Sequence, residues 1–111
     1  MSFRKLRALV VEDEAPIRWE LVAALNETLE LEGAGEADSA EDAFDLVKNS
    51  PADVLFLDIK LIGGTAFQWL TLLKREGVPV PPVVVNTGYR DFEYAQRLHN
   101  EFGGEVVAIL K

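Results

Sequence analysis

No cysteine occurs among the 111 residues, so the fold has to stand without disulfides, as in a reducing compartment. No apolar run approaches the roughly 20 residues of a membrane span, and Met1-Ser2-Phe3-Arg4-Lys5 has no signal-peptide core. Both absences predict a soluble, cytoplasmic protein with no membrane partner. Positive charge is scarce: 11 Lys and Arg stand against 19 Asp and Glu, for a formal charge of −8. Phosphate contacts need clustered Lys and Arg, so this balance argues against nucleic-acid binding as the main activity. The acidity itself favours solubility. Histidine occurs once, and His99, with no second ligand beside it, reads as a surface or packing residue. Gly63-Gly64 lacks the Lys-Ser/Thr of a P-loop and reads as a turn.

What is present is a regular alternation. The length fits one domain that buries roughly two-thirds of its unfolded surface. A strand is expected over Leu6–Val11, followed by a helix from Ala15 with Pro16 in its first turn. Ile17, Leu21, Ala24/Leu25 and Thr28/Leu29 share one face of that helix, and Gly33 ends it. A weak second strand is expected over Ala34–Ala37. Ser39 then caps a helix with apolar Ala40, Ala43, Phe44 and Val47, ended by Asn49-Ser50-Pro51. Asp53–Leu57 is nearly all apolar, as a central parallel strand should be. A third helix runs from Thr65 to Glu76 with Phe67, Leu70 and Leu73 inward and Gly77 as its stop.

Val78-Pro79-Val80-Pro81-Pro82 has too few ladder donors for a strand and is a connector. Val83–Asn86 is the fourth strand, Arg90–Phe102 the fourth helix, and Val106–Leu110 the fifth strand after Gly103-Gly104. The expected architecture is α/β, (βα)4β, with a parallel five-stranded sheet. The chain stops at Lys111 where a covering helix is expected, which predicts one domain over 1–111 truncated after its fifth strand.

Three acidic residues stand where two of these strands run out: Glu12 and Asp13 after the first, Asp58 after the third. In an open parallel sheet the carboxyl ends of the strands form the ligand crevice, at the point where strand order reverses. Carboxylates gathered there repel one another unless a cation joins them. Hard cations such as Mg2+ prefer carboxylate, carbonyl and water oxygens. The fourth strand ends in Asn86-Thr87-Gly88 and the fifth in Lys111, adding a hydroxyl and an ammonium suited to phosphate oxygens. A carboxylate in line with a metal-bound phosphoryl group can be the nucleophile, and positioning and charge neutralisation carry most of such a transfer. The same spot argues against a flavin- or nucleotide-binding enzyme, because Glu12-Asp13 stand where a phosphate-binding glycine fingerprint would be.

Val10-Val11-Glu12-Asp13-Glu14, Leu55-Phe56-Leu57-Asp58-Ile59-Lys60, Val84-Val85-Asn86-Thr87-Gly88 and Ile109-Leu110-Lys111 resemble the four signature stretches of the two-component response-regulator receiver domain. They stand in that family's order and at its separations, over the whole chain. The resemblance implies a doubly wound, flavodoxin-like sheet of order 2-1-3-4-5. It implies that Asp58 is the phosphoacceptor, supplied by a sensor histidine kinase or a histidine phosphotransfer protein. Glu12 and Asp13 match the acidic pair that holds Mg2+, with Asp13 as direct ligand and Glu12 acting partly through water. The backbone carbonyl of Lys60 matches a further ligand, Thr87 the switch hydroxyl, and Lys111 the lysine that pairs with the phosphate. The domain is then no enzyme in its own right, but catalyses its own phosphorylation and dephosphorylation in a phosphorelay.

Several positions depart from the family pattern. Ile62 replaces a common Pro, Ala108 a common aromatic of the activation switch, and Gly88 a common Ala. Lys60 and Tyr89 stand where the family tunes phosphoryl lifetime. Ala108, Ile62 and the missing helix motivate an alternative, a pseudo-receiver docking module without phosphotransfer. A homodimer is possible in such a family, and the output domain is not specified by this chain. Other residues read plainly. Asp53 begins the third strand and belongs at the opposite end of the sheet. Glu14 favours the helix start through the dipole. Trp19 and Trp69 read as packing or partly exposed surface, and Lys48, Lys74 and Arg75 as solvated charge.

Overall fold

The computed structural model describes residues 5–58, 60–61, 64–86, 92–104 and 106–110. Its elements run β1 (Leu6–Val11), α1 (Ala15–Asn26), β2 (Leu31–Ala37), α2 (Ala40–Asn49), β3 (Val54–Asp58), β4 (Lys60–Leu61), β5 (Gly64–Thr65), α3 (Ala66–Arg75), β6 (Val83–Asn86), α4 (Phe92–Glu101) and β7 (Val106–Leu110). Five strands form one sheet of order β2-β1-β3-β6-β7, and all four pairs are parallel. This is the doubly wound order expected, with β6 and β7 as the fourth and fifth main strands. The two-residue strands β4 and β5 make a separate antiparallel pair, Lys60 opposite Thr65 and Leu61 opposite Gly64, a pairing that the sequence pattern does not predict.

Strand alternation divides the core in two. Leu9 and Val11 of β1, Leu55 and Leu57 of β3, and Val83 and Val85 of β6 join the larger cluster, with Ala43 and Val47 of α2, Trp69, Leu70 and Leu73 of α3, and Leu98 and Phe102 from α4 and its end. Ala8 and Val10 point the other way and meet Leu25 of α1, with Leu21, Val22, Val54 and Phe56 around them. Helices therefore cover both faces of the sheet. Phe67 completes the α3–α4 contact edge-on to Phe102, ring centroids 5.3 Å apart. Lys74, read from sequence as solvated charge, places its ammonium 5.5 Å from the centre of the same ring, a cation–π geometry.

The caps follow the sequence. Ser39 accepts the Asp42 amide at 3.1 Å, satisfying one of the donors a helix start leaves open. Glu14 caps α1 without a side-chain hydrogen bond. Gly77 has φ +70°, the left-handed conformation that ends a helix at low steric cost. Asp53 lies at the opposite end of the sheet from Asp58, where its Oδ2 accepts the Arg7 amide at 2.7 Å.

Two expectations are corrected. Helix α1 stops at Asn26 rather than near Gly33, so Leu29 is 83% exposed, and Ile17 also faces solvent instead of the core. Thr28 closes the turn by accepting the Leu31 amide at 3.0 Å, and Asn26 Oδ1 accepts the Gly33 amide at 2.8 Å. These side-chain bonds release the chain into β2 earlier than the glycine does. The second strand accordingly begins at Leu31, not Ala34.

Strand β2 carries one extra residue. Ala8 of β1 lies opposite Gly33 and Leu9 opposite Gly35, leaving Ala34 without a partner. The insertion reverses which way the strand faces. A Cβ on Gly33 would stand 3.1 Å from Val22 of α1, whereas one on Gly35 would stand 2.9 Å from Leu46 of α2. Ala37 then enters the larger core, and Glu36 is left on the α1 side.

Candidate functional site

Strand order reverses at β1, which has β2 on one side and β3 on the other. Val11 is the register partner of Leu57, so Glu12 and Asp58 follow at the same level on adjacent strands. The carboxylates of Glu12, Asp13 and Asp58 converge here, with an oxygen from each lying within 4.8 Å of the others. Glu12 is 6% exposed, Asp58 is half-buried and Asp13 is open to solvent. Two unit charges 4.8 Å apart repel by roughly 3 kcal/mol at an effective dielectric near 20, less where solvent reaches Asp13. A divalent cation held between them would relieve that repulsion. The cluster's all-oxygen donor set suits a hard cation such as Mg2+.

The backbone explains the convergence. The last sheet bond of β1 runs from the Glu12 amide to the Ala37 carbonyl at 3.0 Å. Beyond it the chain turns into α1, carrying Asp13 over the strand end. Burial pushes the Glu12 carboxyl above the ordinary glutamate value. The Glu14 amide, which hydrogen-bonds it, opposes that shift, the charges of Asp13 and Glu14 add to it, and Arg18 counters it. Arg18 reaches back from the first turn of α1, donating from Nη1 to the Glu12 carbonyl at 2.9 Å and from Nε to Glu36 Oε1 at 2.9 Å. Sequence reading did not find Arg18, because its partners lie on two different elements and form no local motif.

Of the site residues read from sequence, Glu12, Asp13 and Asp58 are brought together. Lys60 belongs to β4, directly beyond β3, with its backbone opposite Thr65. Thr87 and Lys111 lie outside the described residues, as do Ile62, Gly88 and Tyr89. The strands leading to the first two are in place: Asn86 is the partner of Asp58 in β3·β6 and of Leu110 in β6·β7, and Ala108 lies opposite Val84. His99 is exposed on α4, away from the acidic cluster. Trp69 is buried and donates its indole N–H to the Ala40 carbonyl at 2.9 Å, while Trp19 is 60% exposed. No helix among the described residues is long and apolar enough to cross a membrane.

A five-stranded doubly wound domain with an acidic cluster at its switch point defines the class, and comparison with known proteins gives the family. The sequence profile of the response regulator receiver domain matches residues 8–105, and the chain belongs to that family. It is 43% identical over 88 residues to the sensory transduction protein LytT of Bacillus anthracis, covering 78% of this chain and 35% of that protein. It is 40% identical over 82 residues to the phosphate regulon transcriptional regulatory protein PhoB of Klebsiella pneumoniae, covering 73% and 35%. The chain thus spans about a third of the length of these curated relatives. Among solved structures, the receiver domain of AraT, a response regulator from Geobacillus stearothermophilus, superposes with TM-score 0.78 at 29% identity, covering 96% of this chain and 81% of that one. The response regulator domain of Thermotoga maritima CheB gives 0.76 at 20% identity, over 97% and 78%, a likeness of fold. Family membership agrees with the argument from Glu12-Asp13 against a flavin- or nucleotide-binding enzyme.

Proposed function

We propose that this receiver domain accepts a phosphoryl group on Asp58, in a Mg2+-dependent reaction, from a sensor histidine kinase or a histidine phosphotransfer protein. The observation that carries the reading is the convergence of Glu12, Asp13 and Asp58 within 4.8 Å at the switch point of a receiver fold. Asp13 is the exposed member and suits a direct bond to an arriving hydrated cation. Buried Glu12 suits a contact through water, and the Lys60 carbonyl supplies a further oxygen from just beyond β3. When bound, Mg2+ offsets the charge of the carboxylates and of the incoming phosphoryl oxygens.

Asp58 carries the chemistry. One carboxylate oxygen attacks phosphorus in line, and the O–P bond forms as the N–P bond to the donor imidazole breaks. The N–P bonding pair returns to the ring nitrogen, the imidazole takes up one proton from solvent to leave neutral, and an acyl phosphate remains on Asp58. Water attack on the same phosphorus reverses the state, so phosphorylation and dephosphorylation are both catalysed by the domain itself rather than by an enzyme turning over substrate. Thr87 and Lys111, which follow β6 and β7 in the sequence, are the residues we assign to supply the hydroxyl and ammonium for the phosphoryl oxygens. The protein works in the cytoplasm and passes the signal to an output partner.

The test is labelling by a small-molecule phosphodonor such as acetyl phosphate. Wild-type protein with Mg2+ is expected to gain one base-labile phosphoryl group, and Asp58→Ala or omission of the metal to abolish it. Equal labelling of wild type and Asp58→Ala overturns the assignment. Absence of labelling together with absence of Mg2+ binding supports a docking module instead.

A further inference from the structure

We infer that Arg18 is a positioning residue for the cation-binding carboxylates. It acts through the backbone of Glu12, and the inference rests on the reading of Glu12, Asp13 and Asp58 as a Mg2+ site. The Glu12 peptide is held at both polar ends: its amide donates to Ala37 of β2 at 3.0 Å, and its carbonyl accepts Arg18 Nη1 at 2.9 Å. The sheet ladder ends at that amide. Past it, the orientation of the Glu12–Asp13 peptide would otherwise be free to turn about ψ of Glu12. The guanidinium removes that freedom.

Arg18 is itself fixed. Its side chain is 13% exposed, and Nε is bonded to Glu36 of β2 at 2.9 Å. The planar fork cannot satisfy both partners except in one placement of the Glu12 carbonyl. Its amide meanwhile continues α1 by donating to the Glu14 carbonyl at 2.9 Å. One residue therefore ties the first turn of α1, the end of β1 and the edge strand together around the acidic pair.

The side on which it stands decides its role. Glu36 belongs to β2 and Asp58 to β3, on opposite flanks of β1. Arg18 thus lies behind Glu12 as seen from Asp58, not beside the position of an arriving phosphoryl group. It orients ligands without being one. Partners that orient metal ligands from outside the coordination sphere commonly govern affinity by about 10- to 100-fold.

A purely structural bridge would behave differently. An ion pair to half-exposed Glu36 contributes little by itself, and its loss would lower the melting temperature while leaving the folded protein's affinity for Mg2+ unchanged. The experiment is a Mg2+ titration of the amide resonances of wild type, Arg18→Ala, Arg18→Lys and Glu36→Gln, each with a thermal melt. Wild type is expected to saturate. Arg18→Ala should bind about tenfold more weakly or worse, with the metal-free resonances of Glu12 and Asp13 displaced. Arg18→Lys should recover part of the affinity, since an ammonium can hold the carbonyl but not both partners in a rigid fork. Glu36→Gln keeps the carbonyl bond and should change affinity by about threefold or less.

If Arg18→Ala does not fold, the Lys variant decides: affinity equal to wild type in a folded Arg18→Lys, with undisplaced Glu12 and Asp13 resonances, overturns the role. A folded Arg18→Ala that binds Mg2+ as wild type does overturns it directly. Failure of wild type itself to bind Mg2+ overturns the metal-site reading, and this inference with it.

Discussion

Val11 and Leu57 face each other across the parallel β1·β3 pair, and both are buried in the same core cluster. The pairing sets the site. Because the two strands run in the same direction and in register, the next residue of each, Glu12 and Asp58, stands at one level at the strand ends. A one-residue slip of β3 would carry Leu57 out of the core and Asp58 away from Glu12 together. Core packing and site geometry are thus one constraint.

Removing that packing should show it. Leu57→Ala deletes a side chain that is completely buried, and large-to-small changes of this kind cost about 2–5 kcal/mol. Urea denaturation should show the loss. Titration of the remaining folded protein should also give weaker Mg2+ binding, since Asp58 follows directly.

Two aspartates at opposite ends of the sheet should separate stability from binding. Asp13→Asn is expected to weaken Mg2+ by at least about tenfold with little change in melting temperature. Asp53→Ala, which removes the acceptor of the Arg7 amide, should instead lower stability by about 1 kcal/mol and leave metal affinity alone. Calorimetric titration of both variants tests the contrast.

Glu12 makes stability depend on pH. Its folded-state carboxyl holds a proton more readily than the same group in the unfolded chain, mainly through burial. The native state therefore carries more protons between the two values, and stability falls as pH rises from the ordinary glutamate range through the raised folded value. Glu12→Gln abolishes that component. Urea midpoints in metal-free buffer should show the variant gaining on wild type as pH increases through this window, whereas a constant difference would contradict the assignment.

The indole of Trp69 bridges two helices by donating to Ala40. Trp69→Phe keeps most of the apolar surface but loses that hydrogen bond, with an expected cost of about 1 kcal/mol. Comparing its chemical denaturation with wild type gives the value, and Mg2+ binding should be unaffected.

The parts of the fold legible in the sequence are those where burial repeats at a fixed period. Leu70 and Leu73 are legible as the inward face of a helix, Leu55–Leu57 and Val83–Val85 as apolar strands, and the acids that follow Val10-Val11 and Phe56-Leu57 mark the site. The edge strand was harder to read. Leu31–Ala37 contains Glu32, Gly33, Gly35 and Glu36, so its extended conformation comes from pairing with β1 rather than from any apolar run. Leu29 keeps helical spacing yet faces solvent, because side-chain bonds from Asn26 and Thr28 end α1 before the period does, and Ile17, inside the helix, lies outside its buried face. Arg18 was invisible for a different reason. Its importance depends on a carbonyl and a glutamate that approach it only after the sheet has assembled.

Ala34 carries a consequence larger than its size. By adding one residue to β2 it shifts the phase of the strand, so that Glu36 meets Arg18 while Ala37 enters the core. Were the same residues paired in strict alternation, Glu36 would fall opposite Val11 and face α2, leaving the guanidinium with the Glu12 carbonyl alone. The placement of Arg18 behind the acidic pair is thus set by a count of residues in the edge strand as much as by a choice among them.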